Sequence, residues 1–203
     1  MKKNKISKNW INKQHRDIYF KKSKILGYRS RSSFKLIDLD EKFEFLKKNT
    51  YLVDLGSSPG GWSQVAIKKI TNGKILAVDI KDMEKIDKVS FLKGDLLDIN
   101  TYIEIENFFD KKVDVVISDM ATNTSGNKNL DSFNTGQLCL NAMDLSQKIL
   151  DKNGVFLSKL FMGSVFIEIN KKANLYFKKV IKFKPLSSRP ESKEIYLYCK
   201  GIR

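Results

Sequence analysis

Five short apolar runs recur along this chain, each with a glycine or a charged residue at or next to its end and a stretch of helical length between most of them. They are Tyr51-Leu-Val-Asp-Leu-Gly56, Lys74-Ile-Leu-Ala-Val-Asp79, Val89-Ser-Phe-Leu-Lys-Gly94, Val113-Asp-Val-Val-Ile-Ser118 and Val155-Phe-Leu-Ser-Lys-Leu160. Alternating strand and helix signals imply a mostly parallel sheet with helices on both faces. The near-continuous apolar character of the runs fits burial on both sides. Two more apolar stretches, 178–184 and 195–199, follow with a short loop between them. That spacing predicts an antiparallel hairpin at one sheet edge. The expected architecture is therefore α/β, a mostly parallel seven-stranded sheet with one antiparallel edge strand.

Helical periodicity predicts helices over 32–48, 61–71, 100–110, 131–151 and 164–176. Ser32 or Ser33 is positioned to cap the first, and Asn153-Gly154 reads as the turn that closes the fourth. The 203 residues suit one domain with a short arm. We place the arm at 1–30 and the domain at 31–203.

The sharpest local feature is Asp54-Leu-Gly56-Ser-Ser-Pro59-Gly60-Gly61-Trp62-Ser-Gln64. A strand runs into a glycine turn and a helix follows. In open α/β sheets ligands bind at the carboxyl ends of strands, where the strand order switches. The spacing is neither G-x-G-x-x-G nor G-x-x-x-x-G-K-[ST], which argues against a nicotinamide dinucleotide and against a P-loop nucleotide. Asp79 ends the second run and Asp95 follows the third. Carboxylates there suit the ribose hydroxyls and the amino group of an adenosine. Asp119 ends the fourth run. Lys159 lies inside the fifth, where an unpaired charge is costly to bury and so needs a partner or a function. Lys35 and Glu194 complete a set of four. The alternative is a rim of structural ion pairs. As chemistry, a lysine serves as base and carboxylates orient it, although the carboxylates also favour its charged form, so its protonation state stays open here.

The net charge of +15 is uneven: +11 over residues 1–35, −3 over 36–167 and +7 over 168–203. Two basic ends flank a near-neutral middle, and if they meet they form one surface for an anionic partner, nucleic acid first; solvated tails are the alternative. His15 is the only histidine, and Cys139 and Cys199 are the only cysteines. Zinc and histidine chemistry are accordingly not expected, nor is a disulfide framework. No apolar run approaches a membrane span. The first 16 residues carry no acid, are rich in Lys and Asn, and read as an arm of a cytoplasmic protein rather than an organellar presequence.

Taken in order, Ser30-Arg-Ser-Ser-Phe-Lys35-Leu, Val53 to Gln64, Ser118-Asp-Met-Ala-Thr-Asn123 and Ser187-Ser-Arg-Pro-Glu-Ser-Lys-Glu194-Ile-Tyr resemble the FtsJ-type ribosomal RNA 2′-O-methyltransferases. The resemblance runs from about residue 8 to the C-terminus. It implies a Rossmann-like S-adenosylmethionine-dependent methyltransferase fold and a catalytic set Lys35, Asp119, Lys159 and Glu194, with Lys159 the base. It implies S-adenosyl-L-methionine contacts at Gly56, Ser58, Pro59, Gly60, Gly61, Trp62, Asp79, Ile80, Asp95, Leu96 and Asp119, and no metal. It implies action on a uridine of the A-loop of large-subunit rRNA within the ribosomal subunit, gripped by a basic arm including Arg16 and Lys21-Lys22; with no apolar stripe in the sequence demanding a dimer, a monomer is expected. Three departures touch the target side: Thr122 where proline is common, Phe161-Met162-Gly163 after the lysine, and Pro190-Glu191. A tRNA ribose methyltransferase and a non-catalytic RNA-binding module are the alternatives, separable by substrate and by cofactor binding.

Overall fold

The computed structural model describes residues 17–122, 127–163 and 165–203. The first 16 residues of the expected arm, with Arg16, lie outside them, as does Asn123. The elements are α1 (Ile18–Ile25), α2 (Ser33–Phe43), β1 (Tyr51–Leu55), α3 (Gly61–Lys69), β2 (Lys74–Asp79), β3 (Ser90–Lys93), α4 (Ile99–Phe108), β4 (Val113–Ser118), α5 (Lys128–Ile149), β5 (Leu150–Phe161), α6 (Phe166–Tyr176), β6 (Phe177–Phe183) and β7 (Glu194–Ile202).

The seven strands form one sheet in the order β3-β2-β1-β4-β5-β7-β6. The pairs from β3 through β5 are parallel. β7 runs antiparallel to both β5 and β6. The expected hairpin thus closes one edge; its reversed member, β7, stands one place in from the rim, and β6 forms the rim itself. The order reverses between β1 and β4, which makes their carboxyl ends the switch point.

Alternate residues of the strands feed two cores. Val53, Leu55, Val116, Phe156 and Leu160 pack toward α4, α5 and α6, against Ile105, Met143 and Ile169. Leu52, Ile117 and Leu157 pack toward α2 and α3, against Leu36, Leu39, Trp62 and Val65. Each such side chain, fully buried, contributes about 1.5–3 kcal/mol. Double-sided burial is why the strands read as unbroken apolar runs.

Two boundaries differ from the periodicity. α2 stops at Phe43, short of residue 48, because Glu44 turns left-handed (φ 51°, ψ 47°). The Asp40 carboxylate then accepts the Leu46 N–H at 2.8 Å and turns Phe45 and Leu46 into the core. Their apolar character continues the helical pattern without the helix. Ser32 makes no side-chain cap bond, and the Ser33 hydroxyl donates instead to Gly61 O at 3.0 Å. The Asn153-Gly154 turn is absorbed into β5. Between the pairs Val113↔Leu150 and Val115↔Val155 the register jumps, and the Asn153 N–H donates to Asp151 Oδ1 at 3.0 Å, so the turn is a bulge within the strand.

Candidate active site

β1 stays paired with β4 to its last residue, Leu55, which lies opposite Ser118. Gly56, at φ +74°, donates its N–H to Val78 O at 2.9 Å, and a Cβ on it would lie 2.5 Å from Met120 Cγ. Both the conformation and the space demand glycine. The resulting cavity of about 620 Å³ lies over the carboxyl ends of β1, β2, β3 and β4. Its apolar wall is Leu55, Val78, Leu96, Met120 and Leu138, and its polar wall includes the carboxylates of Asp79, Asp95 and Asp119. Asp79 accepts the Ser58 N–H at 2.9 Å on one oxygen and the Lys81 N–H at 2.8 Å on the other; Asp95 accepts the Leu97 N–H at 2.9 Å. Thr122 also lines the cavity, its buried hydroxyl unpartnered.

Gly56, Ser58, Asp79, Ile80, Asp95, Leu96 and Asp119 line this cavity. Pro59, Gly60, Gly61 and Trp62 do not; they turn toward the segment leading into α2. A Cβ on Gly60 would meet Arg29 Nη1 at 2.8 Å, and one on Gly61 would meet Ser30 Oγ at 2.2 Å. Trp62 is buried in the core, with its indole N–H donating to Ser32 O at 2.9 Å. Here the absent side chains admit the protein's own chain.

The four charged residues converge beside the cavity, and register brings them there. β4 and β5 pair with Ser118 opposite Ser158, which sets Asp119 next to Lys159. β5 and β7 pair with Lys159 opposite Tyr196 and Phe161 opposite Glu194. Because β7 is antiparallel, its first residue lies at the carboxyl end of β5; a parallel strand would carry Glu194 to the far end of the sheet. Lys159 Nζ is 2.9 Å from Asp119 Oδ1 and also donates to the Asp119 carbonyl. Lys35, on α2, reaches Glu194 Oε2 at 2.9 Å. The side chains of Lys159 and Glu194 are 8% and 10% exposed, so both pairs are largely removed from solvent.

Tyr196 was missed from the sequence. Its hydroxyl donates to Asp119 Oδ1 at 2.7 Å, and Lys35 Nζ sits 5.9 Å from the centre of its ring. The available signal was its place two residues after Glu194, on the same face of β7. Burial pulls the Asp119 carboxyl up, but the charges of Lys159 and Lys35 and the Tyr196 hydroxyl outweigh it and hold the group below its ordinary value. The same burial, with the charges of Asp119 and Glu194, pushes the Tyr196 phenol well up, so it stays a hydrogen donor. Asp54, under the glycine turn on β1, is raised to about 7 by burial, reinforced by Asp119 and Asp79 and opposed by the Ser63 hydroxyl.

The described part of the first basic end, from residue 17, meets the second. Arg31, before α2, and Arg189, in the loop before β7, both bind the Asp17 carboxylate, and Arg31 also donates to Ser187 O. Asp38 accepts the Ser187 N–H and hydroxyl, each at 2.7 Å. α1 with its exposed Lys21, Lys22 and Lys24 is thereby held against the loop that delivers Glu194.

Residues 28–202 match the family described as FtsJ-like methyltransferases. The chain is 49% identical, over the full length of both, to a protein of Pelagibacter ubique named ribosomal RNA large subunit methyltransferase E. It is 41% identical, again over both full lengths, to a protein of the same name from Francisella philomiragia. Among solved structures it is similar to a ribosomal RNA methyltransferase of Plasmodium falciparum, with a TM-score of 0.78 and 33% identity, over 86% of this chain and 98% of that one.

Proposed function

Since this chain belongs to the FtsJ-like methyltransferase family, we propose that it transfers a methyl group from S-adenosylmethionine to a ribose 2′-hydroxyl of large-subunit rRNA. The observation that carries the chemistry is the shared residue: Asp119 lines the cavity and is also ion-paired to Lys159. A cofactor cavity and a proton-handling cluster meet at one side chain. The names of the two bacterial relatives support the rRNA substrate. A uridine of the A-loop, presented on the assembled subunit in the cytoplasm, is the finer reading that goes with them.

The residues present suit the cofactor. Adenosine requires apolar walls, which Val78, Leu96, Met120 and Leu138 supply, and donors and acceptors around its sugar and base, which Asp79, Asp95 and the unpartnered Thr122 hydroxyl supply. Gly56 keeps open the space a side chain would fill. S-adenosylmethionine, when bound, supplies an electrophilic methyl group on a sulfonium.

The remaining work falls to the chain. Lys159 Nζ is assigned to take the proton of the 2′-hydroxyl. Asp119 holds that nitrogen through its carboxylate and its carbonyl, and Tyr196 in turn holds Asp119. Lys35 and Glu194, locked together on the same side, orient the ribose. Alignment of this kind accounts for much of the rate gain in transfers where no covalent enzyme intermediate is needed.

Asp79→Ala is expected to raise the dissociation constant for S-adenosylhomocysteine by about tenfold, through lost hydrogen bonds to the ribose. Calorimetry checks this, and wild-type affinity would remove Asp79 from the role. The cellular test compares 2′-O-methylation of rRNA in cells with and without the gene. One large-subunit position should lose its methyl group and regain it with wild-type protein; loss on tRNA alone would overturn the rRNA assignment.

A further inference from the structure

One wall of the cavity is built from two segments: the glycine turn, through Ser58, and the end of β2 with the loop that follows it, through Asp79, Ile80 and Lys81. Inside, the Ser58 N–H donates to Asp79 Oδ2 at 2.9 Å and the Ser58 hydroxyl to Asp82 O at 3.1 Å. Outside, a single guanidinium spans them both. Arg29 Nη1 donates to Pro59 O at 3.1 Å and to Glu84 O at 2.7 Å, and Nη2 donates to Lys85 O at 3.0 Å.

Arg29 is itself held in place. Its backbone N–H donates to Gln64 Oε1 at 2.8 Å on α3, and Gln64 Nε2 returns a bond to Gly27 O at 3.0 Å. Gly60 is the residue that lets the guanidinium in, since a Cβ there would stand 2.8 Å from Nη1. Arg29 does not line the cavity. It reaches three carbonyls on two loops because its donors form a rigid planar fork; an ammonium is a point donor and cannot hold the same three.

We propose that Arg29 is a positioning residue for S-adenosylmethionine: it fixes the spacing between the segments that carry Ser58 and Asp79, and so sets cofactor affinity without touching the cofactor. This rests on reading the cavity as the cofactor site. The same short segment runs back into α1, so the arm and the cofactor wall are built on one piece of chain.

The experiment is calorimetric titration of S-adenosylhomocysteine into the wild type, Arg29→Lys and Arg29→Met, with thermal unfolding and steady-state kinetics on each. The expected result is a dissociation constant raised about tenfold in Arg29→Met and less in Arg29→Lys, with KM for the cofactor rising in step and kcat at saturation within about twofold of wild type. Arg29→Lys keeps the charge and guards against a variant that fails to fold. A lowered unfolding temperature with unchanged affinity overturns the proposal, because the residue would then be merely structural. A fall in kcat without a change in affinity overturns it too. Failure of the wild type to bind would overturn the reading of the cavity and this proposal with it, whereas wild-type binding matched by Arg29→Met overturns this proposal alone.

Discussion

Replacing Lys159 by arginine is expected to lower kcat by about 10³-fold or more, with little change in cofactor affinity or stability. The nitrogen it removes is the one between the Asp119 carboxylate and carbonyl. Arginine keeps a positive charge against Asp119 but cannot take up a proton, since a guanidinium stays charged at any working pH. Methionine at the same position would confound two effects. It would remove the proposed base and also leave a buried ion pair broken, which costs about 3–5 kcal/mol, although Lys35 and the Tyr196 hydroxyl would still serve Asp119. The arginine variant separates the chemistry from the packing. Single-turnover kinetics with saturating cofactor and RNA measure it. Turnover near that of the wild type would show that Lys159 is part of a structural rim and nothing more.

Stability is expected to fall as pH rises toward neutrality, and Asp54 is the cause. The residue is 1% exposed on β1, with one oxygen bonded to the Ser63 hydroxyl at 2.7 Å and the other without a partner. Burial raises its folded value to about 7. The unfolded chain releases the proton near pH 4 and the folded chain holds it until about pH 7, so between those limits the folded state binds more protons. The stabilisation is complete below the unfolded value and is lost as pH climbs through the folded one. The part falling between about pH 5 and pH 8 is about 3 kcal/mol. Urea unfolding of the wild type and Asp54→Asn across that range should show the gap closing, or reversing, in favour of the variant. A pH-independent difference would mean that Asp54 is ionised in the fold.

Much of the site was legible because parallel strands put their last residues at one edge of the sheet. Gly56, Asp79, Asp95 and Asp119 each follow or end a recognisable apolar run, so their convergence needed only strand order. Lys159 was legible for a different reason: a charge within a buried strand is conspicuous. An antiparallel hairpin was legible from the short loop between the runs 178–184 and 195–199, though with the reversed strand at the sheet edge; the reversed strand is the inner one, β7, and its reversal carries Glu194 to Lys159. What the pattern did not reveal was direction. Gly60, Gly61 and Trp62 sit in the same motif as Gly56, yet they face Arg29, Ser30 and Ser32 rather than the cavity. Spacing shows that a side chain must be absent, not what approaches in its place. Tyr196 resembles any core aromatic until its hydroxyl is seen on Asp119. The end of α2 was hidden because Phe45 and Leu46 extend the helical periodicity while a buried carboxylate, not the helix, holds them.

Ribose methylation of large-subunit rRNA is directly measurable. The most direct measurement is transfer of a labelled methyl group from S-adenosylmethionine to large ribosomal subunits that lack the modification, with protein-free rRNA and tRNA in parallel. The product is mapped by its resistance to alkaline cleavage. The expected result is one alkali-resistant linkage in the large-subunit rRNA, absent with Lys159→Arg. Label confined to tRNA, label on a base, or no transfer to any RNA would contradict ribose methylation of large-subunit rRNA by this protein.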